Sequence, residues 1–114
     1  MNTPTFTPGL IPRRGLNNRA MFVWLSQVAG KRCGPFGIHK TVSHPHEWNL
    51  THCPSGYGLG KFKRQQEAKE AVARLLALNI DWGFRNPIRL TKIKRKAILA
   101  AVRTPQQRPA GRSL

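Results

Sequence analysis

Acidic residues are scarce in this chain of 114 residues. Only Glu47, Glu67, Glu70 and Asp81 oppose 20 lysines and arginines, and the formal net charge is +16. A surface that serves only solubility mixes both signs of charge, whereas a large excess of one sign opposes a compact fold through self-repulsion. A partner of opposite charge relieves that repulsion. The composition therefore predicts a polyanionic partner, with nucleic acid as the leading candidate.

Long apolar runs and a secretory signal are also lacking. No stretch approaches the roughly 20 apolar residues that a membrane-spanning helix needs. No apolar signal segment precedes the first arginine pair, Arg13 and Arg14. We therefore expect a cytoplasmic protein that does not associate with membranes, and an anionic membrane surface is the weaker alternative partner.

The shortage of carboxylates also argues against an enzyme. The four acids are spread along the chain and form no convincing acid–base pair, and no Ser/His/Asp order or phosphate-binding loop stands out. We expect a non-enzymatic protein without a cofactor. A nuclease built on His44, His46 or His52 is the alternative, because histidine titrates near neutral pH.

Cysteine is rare as well, which argues against a disulfide framework. The two cysteines, Cys33 and Cys53, bracket a histidine cluster in the segment GIHKTVSHPHEWNLTHC. Cysteine and histidine are the usual ligands of zinc, but the spacing lacks the paired C-x-x-C and H-x-x-x-H patterns of zinc sites. We predict loop histidines and reduced thiols without a metal, and a zinc site made by two cysteines and two histidines is the alternative.

The two ends differ in composition from the middle of the chain. Residues 1–18 are rich in Pro, Thr, Asn and Gly, and residues 104–114 have the same character. Prolines interrupt a hydrogen-bonded ladder. The sequence therefore predicts a flexible basic N-terminal arm over 1–18, one small domain over 19–103, and a flexible tail over 104–114.

Alternation and turn residues predict strands in the first half of this domain. The uncharged run AMFVWLSQVA is apolar enough for a buried strand, although its length also admits a short helix. In EWNLTH, the residues Trp48, Leu50 and His52 alternate with polar ones, which predicts a half-buried strand. PSGY supplies a turn, and GLGKFK returns as the hairpin partner. A short strand over residues 40–44 completes a sheet of about three strands.

Two helices with a 3.6-residue apolar period are predicted in the second half. The first runs from Gln66 to about Asn79 and packs behind the sheet. The second covers LTKIKRKAILAAVR, where Thr91 is the expected N-cap and Ile93 begins the apolar face. The expected fold is α+β: a small antiparallel sheet of about three strands packed on one helix, plus a C-terminal basic helix.

The segment GYGLGKFKRQQEAKEAVARLLAL resembles the last hairpin and final helix of double-stranded RNA-binding domains. In that family a glycine-bearing strand leads into a lysine pair and an A-K-x-x-A-A pattern, and Ala68, Lys69 and Ala73 match its helix. The family's lysine pair aligns with Gln65 and Gln66 of this chain, where the nearest charges are those of Lys63 and Arg64. The resemblance implies an RNA-binding α+β domain.

A second resemblance covers W-N-L-T-H-x-P-S-G-Y-x-L-G-K-F and E-A-K-E-A-V. These segments are similar to the three-stranded sheet and helix of plant ethylene-response DNA-binding domains and of the arm-binding domains of tyrosine recombinases. They also look like small accessory proteins of phages and plasmids. In the DNA-binding families the exposed sheet face enters the major groove, which implies that Asn49, Thr51, Lys61 and Lys63 face nucleic acid here.

Charge and position together define the candidate nucleic-acid-binding residues. They are Arg13, Arg14, Asn49, Thr51, Lys61, Lys63, Arg64, Lys69, Arg89, Lys92, Lys94, Arg95 and Lys96. We predict a phosphate site at the strand–helix cluster, defined as Lys61, Lys63 and Arg64, because cations and the free N–H groups of a helix start both favour an anion. The basic face of the second helix extends it. The alternative is that these cations only protect a sheet edge.

Two classes of function follow from these features. The first is a small basic protein that binds mainly the phosphate backbone of DNA or structured RNA. The second is a phage- or plasmid-encoded regulator or inhibitor that binds a host nucleoprotein or a defence complex. The first implies a nucleic-acid partner, and the second implies a host protein or nucleoprotein complex with an acidic or RNA-rich surface, because both depend on the excess positive charge.

Overall fold

The computed structural model describes residues 4–41, 44–86 and 90–103 and contains five strands and two helices. The elements are β1 (Thr7–Leu16), β2 (Phe22–Cys33), β3 (Phe36–Lys40), β4 (Trp48–His52), β5 (Tyr57–Phe62), α1 (Gln65–Leu76) and α2 (Lys92–Arg103). The strands form one sheet in the order β1-β2-β3-β4-β5, and every neighbouring pair is antiparallel. No helix among these described residues is long and apolar enough to span a membrane.

The α+β class is confirmed, but the prediction of about three strands is wrong, because the sheet has five. Residues 7–16, which we expected in a flexible arm, form the edge strand β1 instead. Two prolines fit this strand for local reasons. Pro8 lies on the sheet edge, and Pro12 falls where the register of β1 and β2 shifts between Ile11 and Arg13. Edges and bulges are the places where a strand tolerates a missing N–H group.

The main core lies between one face of β3, β4 and β5 and the two helices. Its sheet side consists of Phe36, Ile38, Leu50 and Phe62, and its helix side consists of Ala68, Ala71, Val72, Leu75, Ile98, Ala101 and Val102. Ile93, which we predicted on the buried face of α2, is 81% exposed. The buried residues of α2 begin at Ile98, so only the C-terminal half of this helix packs on the core.

The hairpin made by β1 and β2 curls over the opposite face of the sheet. Ile11 is fully buried, and its Cδ1 occupies the space that a Cβ atom at Gly37 would need. Phe36 and Ile38 face the helices, so Gly37 between them faces the other side of the sheet. Ile11 therefore packs on the face that the helices do not cover. The N–H of Arg14 also donates to the carbonyl oxygen of Gly56 at 2.8 Å. The hairpin and the sheet therefore enclose a second, smaller packed region.

The end of this hairpin exposes apolar side chains to solvent. We expected the run from Ala20 to Ala29 to be buried, and it lies largely in β2, yet Trp24 is 54% exposed. Leu16, Met21, Phe22 and Leu25 are exposed as well. The reason is geometric, because β2 pairs with β3 only from Lys31 to Cys33. The earlier part of β2 extends beyond the sheet with β1 alone.

Candidate nucleic-acid interface

The β1–β2 hairpin and helix α2 each carry five cations and no acid. The chain has no acidic residue before Glu47 and none after Asp81. The β1–β2 hairpin over residues 7–33 therefore has five cations without a carboxylate: Arg13, Arg14, Arg19, Lys31 and Arg32. Helix α2 has another five, namely Lys92, Lys94, Arg95, Lys96 and Arg103. These two elements thus hold ten of the 20 lysines and arginines and none of the acids.

The N-terminal half of α2 presents its cations to solvent. The N–H of Lys94 donates to Thr91 Oγ1 at 3.2 Å, which confirms Thr91 as the capping residue. Lys92, Lys94, Arg95 and Lys96 are all exposed, and the first turn holds no acid. Cations at a helix N-terminus oppose the helix dipole by about 0.3–1 kcal/mol each at low salt. A bound anion near this turn removes that cost.

The strand–helix cluster differs from α2 because carboxylates lie beside it. Lys61 and Lys63 line a cavity of about 340 Å³ together with Glu47 and Glu67. Glu67 Oε1 also accepts the N–H of Arg64 at 3.3 Å, at the start of α1. This helix terminus thus already has an anion of its own. The predicted phosphate site shares its position with two of the four acids of the chain.

Aromatic rings and an arginine form a group at the base of the exposed hairpin end. The Cζ atom of Arg14 lies 5.3 Å from the ring centroid of Trp24 and 5.3 Å from that of Tyr57. The Phe22 ring meets the Tyr57 ring edge to face, with centroids 5.1 Å apart. These contacts hold the guanidinium near two rings, while 54% of Trp24 stays exposed. Sequence reasoning did not include Phe22, Trp24 or Tyr57, although the two-residue spacing of Phe22 and Trp24 puts both on one side of a strand.

An apolar cavity of about 210 Å³ lies between Tyr57, one member of this aromatic group, and α2. Tyr57 lines it from β5, and Arg95, Ile98 and Leu99 line it from α2. We call the resulting surface the hairpin–α2 surface, defined by the members Arg14, Phe22, Trp24, Tyr57, Lys92, Lys94, Arg95 and Lys96. It combines a group of cations with exposed aromatic rings, and surfaces that bind nucleic-acid strands share these two features.

The remaining candidate residues lie in several environments. Arg13, Asn49 and Thr51 line a polar cavity beneath β1 together with Arg14. Thr51 is only 3% exposed, so the face of β4 that the resemblance places against nucleic acid is mostly covered by the hairpin. Lys69 is half-buried, with Nζ 5.5 Å from the ring centroid of Phe6. Arg89 lies outside the described residues.

His52 has a defined place in the fold. Its Nδ1 accepts a hydrogen bond from the Ser55 hydroxyl at 2.7 Å, and its Nε2–H donates to the carbonyl oxygen of Trp82 at 2.6 Å. The imidazole also stacks on Phe84, with centroids 4.3 Å apart. Ser55 is fully buried, and its hydroxyl also accepts the N–H of Tyr57. This pair therefore secures the turn after β4 and anchors the segment after α1.

Two buried histidines are expected to make the fold less stable in acid. Burial is the main reason that the pKa values of His39 and His52 lie below the ordinary value of about 6.5. Below pH 6.5 these histidines are protonated in the unfolded chain but stay neutral in the folded chain. The free energy of unfolding should therefore decrease as pH falls from 6.5 toward the folded pKa values. Urea unfolding at several pH values measures this slope. The dependence on pH should be weaker in His52→Gln and unchanged in His46→Gln, where the replaced side chain is exposed. Equal slopes in wild type and both variants would contradict the role of His52 in this dependence.

The cysteines and histidines do not converge in the described residues. Burial raises the pKa of both thiols, Cys33 and Cys53, which keeps them protonated. In residues 4–41, 44–86 and 90–103, no group of three or more His, Cys, Asp or Glu side chains has the arrangement of a metal site.

Comparison with known proteins gives no relative for this arrangement. No family model matches the chain, and no curated protein or solved structure matches it.

Proposed function

We propose that this chain is a non-enzymatic nucleic-acid-binding protein that contacts mainly the phosphate backbone of DNA or structured RNA. The observation that supports the proposal most strongly is that Tyr57 lies between two acid-free cationic elements: it contacts Arg14 and Phe22 of the β1–β2 hairpin, and it lines a cavity with Arg95 of α2. A polyanion bound along the hairpin–α2 surface would contact cations of both elements. Neither element contains a carboxylate that would repel it. Phosphate contacts of this kind give affinity without reading base sequence.

The chemistry of the surface also suggests which part of a nucleic acid it prefers. Trp24 and Phe22 expose ring surface beside Arg14, and stacking of a base on an aromatic side chain contributes about 1–3 kcal/mol. Only unpaired bases offer a free face for such stacking. Single strands, loops and frayed ends are therefore the expected ligands, with the cations of α2 bound to their phosphates.

The salt dependence of binding tests this function. Labelled single strands and duplexes of DNA and RNA are titrated with the full chain at salt concentrations between about 50 and 200 mM, with fluorescence anisotropy as the readout. We expect log K to fall linearly with log salt, by about 0.7 per phosphate contact for single strands, and single strands to bind more tightly than duplexes of equal length. Absence of saturable binding at 50 mM salt would overturn the proposal.

The exposed apolar end of the hairpin supports a second candidate function. Leu16, Met21, Phe22, Trp24 and Leu25 form an apolar group of the kind that marks protein interfaces. A regulator that docks on a protein or nucleoprotein complex would use this group. Such a protein would bind naked strands weakly, and it would bind its partner with little dependence on salt.

A further inference from the structure

A polar cavity lies between the hairpin and the sheet face that the helices leave free. It has a volume of about 160 Å³, and its polar lining consists of Arg13, Arg14, His39, Asn49 and Thr51. No carboxylate lines it. Two further lining residues, Leu25 and Gly58, are exposed, so the cavity reaches the protein surface. Since a water molecule occupies about 30 Å³ in the liquid, the cavity has room for a group of about five heavy atoms.

Two buried nitrogen atoms of this lining have no hydrogen-bond partner among the described residues. They are Nε2 of His39 and Nε of Arg14. His39 is only 1% exposed, and its Nδ1 donates to the carbonyl oxygen of Lys40 at 2.8 Å. The proton of the neutral imidazole is therefore on Nδ1, and Nε2 is an acceptor. A buried polar atom without a partner destabilises the fold, and a ligand in the cavity that bonds to it would remove that cost.

The arginines are held in place before any ligand arrives. Arg13 Nε donates to the carbonyl oxygen of Ser26 at 2.9 Å, and Arg14 Nη1 donates to that of Arg85 at 3.3 Å. Arg14 is also fixed by the rings of Trp24 and Tyr57. A guanidinium has five N–H groups, so each arginine keeps donors beyond these contacts. Because both are ordered by the fold, little side-chain entropy is lost when they bind an anion.

The donor set selects one class of ligand. The lining residues include two arginines, an asparagine and a threonine. Such donors favour an anion with several acceptor oxygens, and Arg matches the geometry of phosphate oxygens well. The acceptor Nε2 of His39 adds a requirement for a hydroxyl on the same ligand. A phosphate monoester meets both conditions, because its second pKa is about 6 and part of it keeps a P–OH group near neutral pH. A backbone phosphodiester lacks that hydroxyl.

We propose that this cavity binds one phosphate monoester group, either as inorganic phosphate or as the terminal phosphate of a nucleic-acid strand. The terminal phosphate as the source rests on the proposed function, whereas binding of inorganic phosphate does not. Gly56 lines the cavity next to Tyr57, so a strand end in the cavity has its bases beside the rings of Tyr57 and Trp24. The site thus gives the protein a preference for phosphorylated strand ends.

Calorimetric titration of the full chain with sodium phosphate tests the site, with sulfate at equal ionic strength as the matched anion. We expect one saturable phosphate site and at least about tenfold weaker sulfate binding, because sulfate has no hydroxyl for His39 at neutral pH. Thr51→Val removes one donor without changing charge, and Arg13→Gln removes one cation. Each should weaken phosphate binding about tenfold or more, while Arg103→Gln, which removes the same charge from the exposed last turn of α2, should not. Circular dichroism confirms that each variant is folded.

A second titration identifies the source of the phosphate. The same oligonucleotide is used with a phosphate at its 5′ end, at its 3′ end or at neither end. Tighter binding of one phosphorylated form, abolished in Thr51→Val, supports the strand end. Equal binding of all three forms, with a saturable inorganic phosphate site, assigns the cavity to free phosphate.

Failure of the cavity proposal can be separated from failure of the proposed function. Wild-type protein without a saturable phosphate site, or with a site that Thr51→Val and Arg13→Gln leave unchanged, overturns the cavity proposal. The unphosphorylated strand would still bind in that case if the proposed function is correct. Binding of inorganic phosphate without binding of any strand would overturn the proposed function and leave the cavity site intact.

Discussion

Gly30→Ala is expected to lower the free energy of unfolding by about 3 kcal/mol, near the upper end of the range for overpacking. A methyl group at this position of β2 would meet the carbonyl oxygen of Ile38 at far below van der Waals distance and would lie 2.8 Å from Ile11 Cδ1. The first neighbour is main chain and the second is a fully buried side chain, so neither can move cheaply. The hairpin would have to lift away from the sheet.

Gly58→Ala is the matched control for this prediction. A methyl group at Gly58 meets nothing within 4 Å, so the change in the free energy of unfolding should stay within about 0.5 kcal/mol. Urea unfolding followed by tryptophan fluorescence measures both variants. Equal stability of the two would contradict the close packing of β1 and β2 against β3. Lifting of the hairpin in Gly30→Ala should also expose Ile11 and open the polar cavity.

Local patterns predicted the part of the fold in which neighbours in sequence are also neighbours in space. Alternation of Trp48, Leu50 and His52 identified β4, and the turn in PSGY identified its hairpin with β5. The 3.6-residue period identified α1 and α2, and Thr91 caps α2 as expected. Alternation, turns, helical periodicity and caps all depend on residues within one element or in adjacent strands. They can therefore be predicted from one sequence.

The position of the β1–β2 hairpin could not be predicted in the same way. Prolines in β1 argued for an irregular arm, and their compatibility with an edge and a bulge is visible only once the pairing is known. The curl of the hairpin depends on the close approach of Ile11 to Gly30 and Gly37, which are distant from it in sequence. A run of apolar residues in β2 suggested burial, but strand pairing leaves Trp24 exposed.

In the candidate site, too, features that depend on local sequence were predicted and features that depend on tertiary contacts were not. The cations of α2 were identified from charge alone, and they are exposed in the fold. The strand–helix cluster was also identified from charge, but tertiary structure brings Glu47 beside it from the start of the β4 segment. The polar cavity joins Arg13 to Asn49 and Thr51 across 36 or more positions of the chain, so no local pattern indicates it.

Neutralising α2 is expected to have the largest effect on nucleic-acid binding. Lys92→Gln, Lys94→Gln and Lys96→Gln, made together, remove three exposed charges from a helix turn that has no acid. We expect affinity for a single strand to fall at least about tenfold and the salt slope to fall by about 0.7 for each phosphate that the variant no longer binds. Folding should be unaffected, because the buried residues of α2 begin at Ile98 and Gln has a high helix propensity.

The matched control removes the same number of charges from the strand–helix cluster. Lys61→Gln, Lys63→Gln and Arg64→Gln, made together, give a protein of the same net charge as the α2 variant. Glu47 and Glu67 line a cavity together with Lys61 and Lys63 and lower the positive potential there, so the contribution of this cluster to phosphate binding should be smaller. Any effect of net charge alone is equal in the two variants.

The comparison of salt slopes between these two variants tests the central claim most directly, namely that nucleic acid binds along the hairpin–α2 surface. Anisotropy titrations of one labelled single strand, at the same series of salt concentrations, give the slope for wild type and for both triple variants. The α2 variant should show a clearly shallower slope and weaker binding, while the strand–helix variant stays close to wild type. Equal weakening in both variants, or a greater weakening in the strand–helix variant, would contradict the claim.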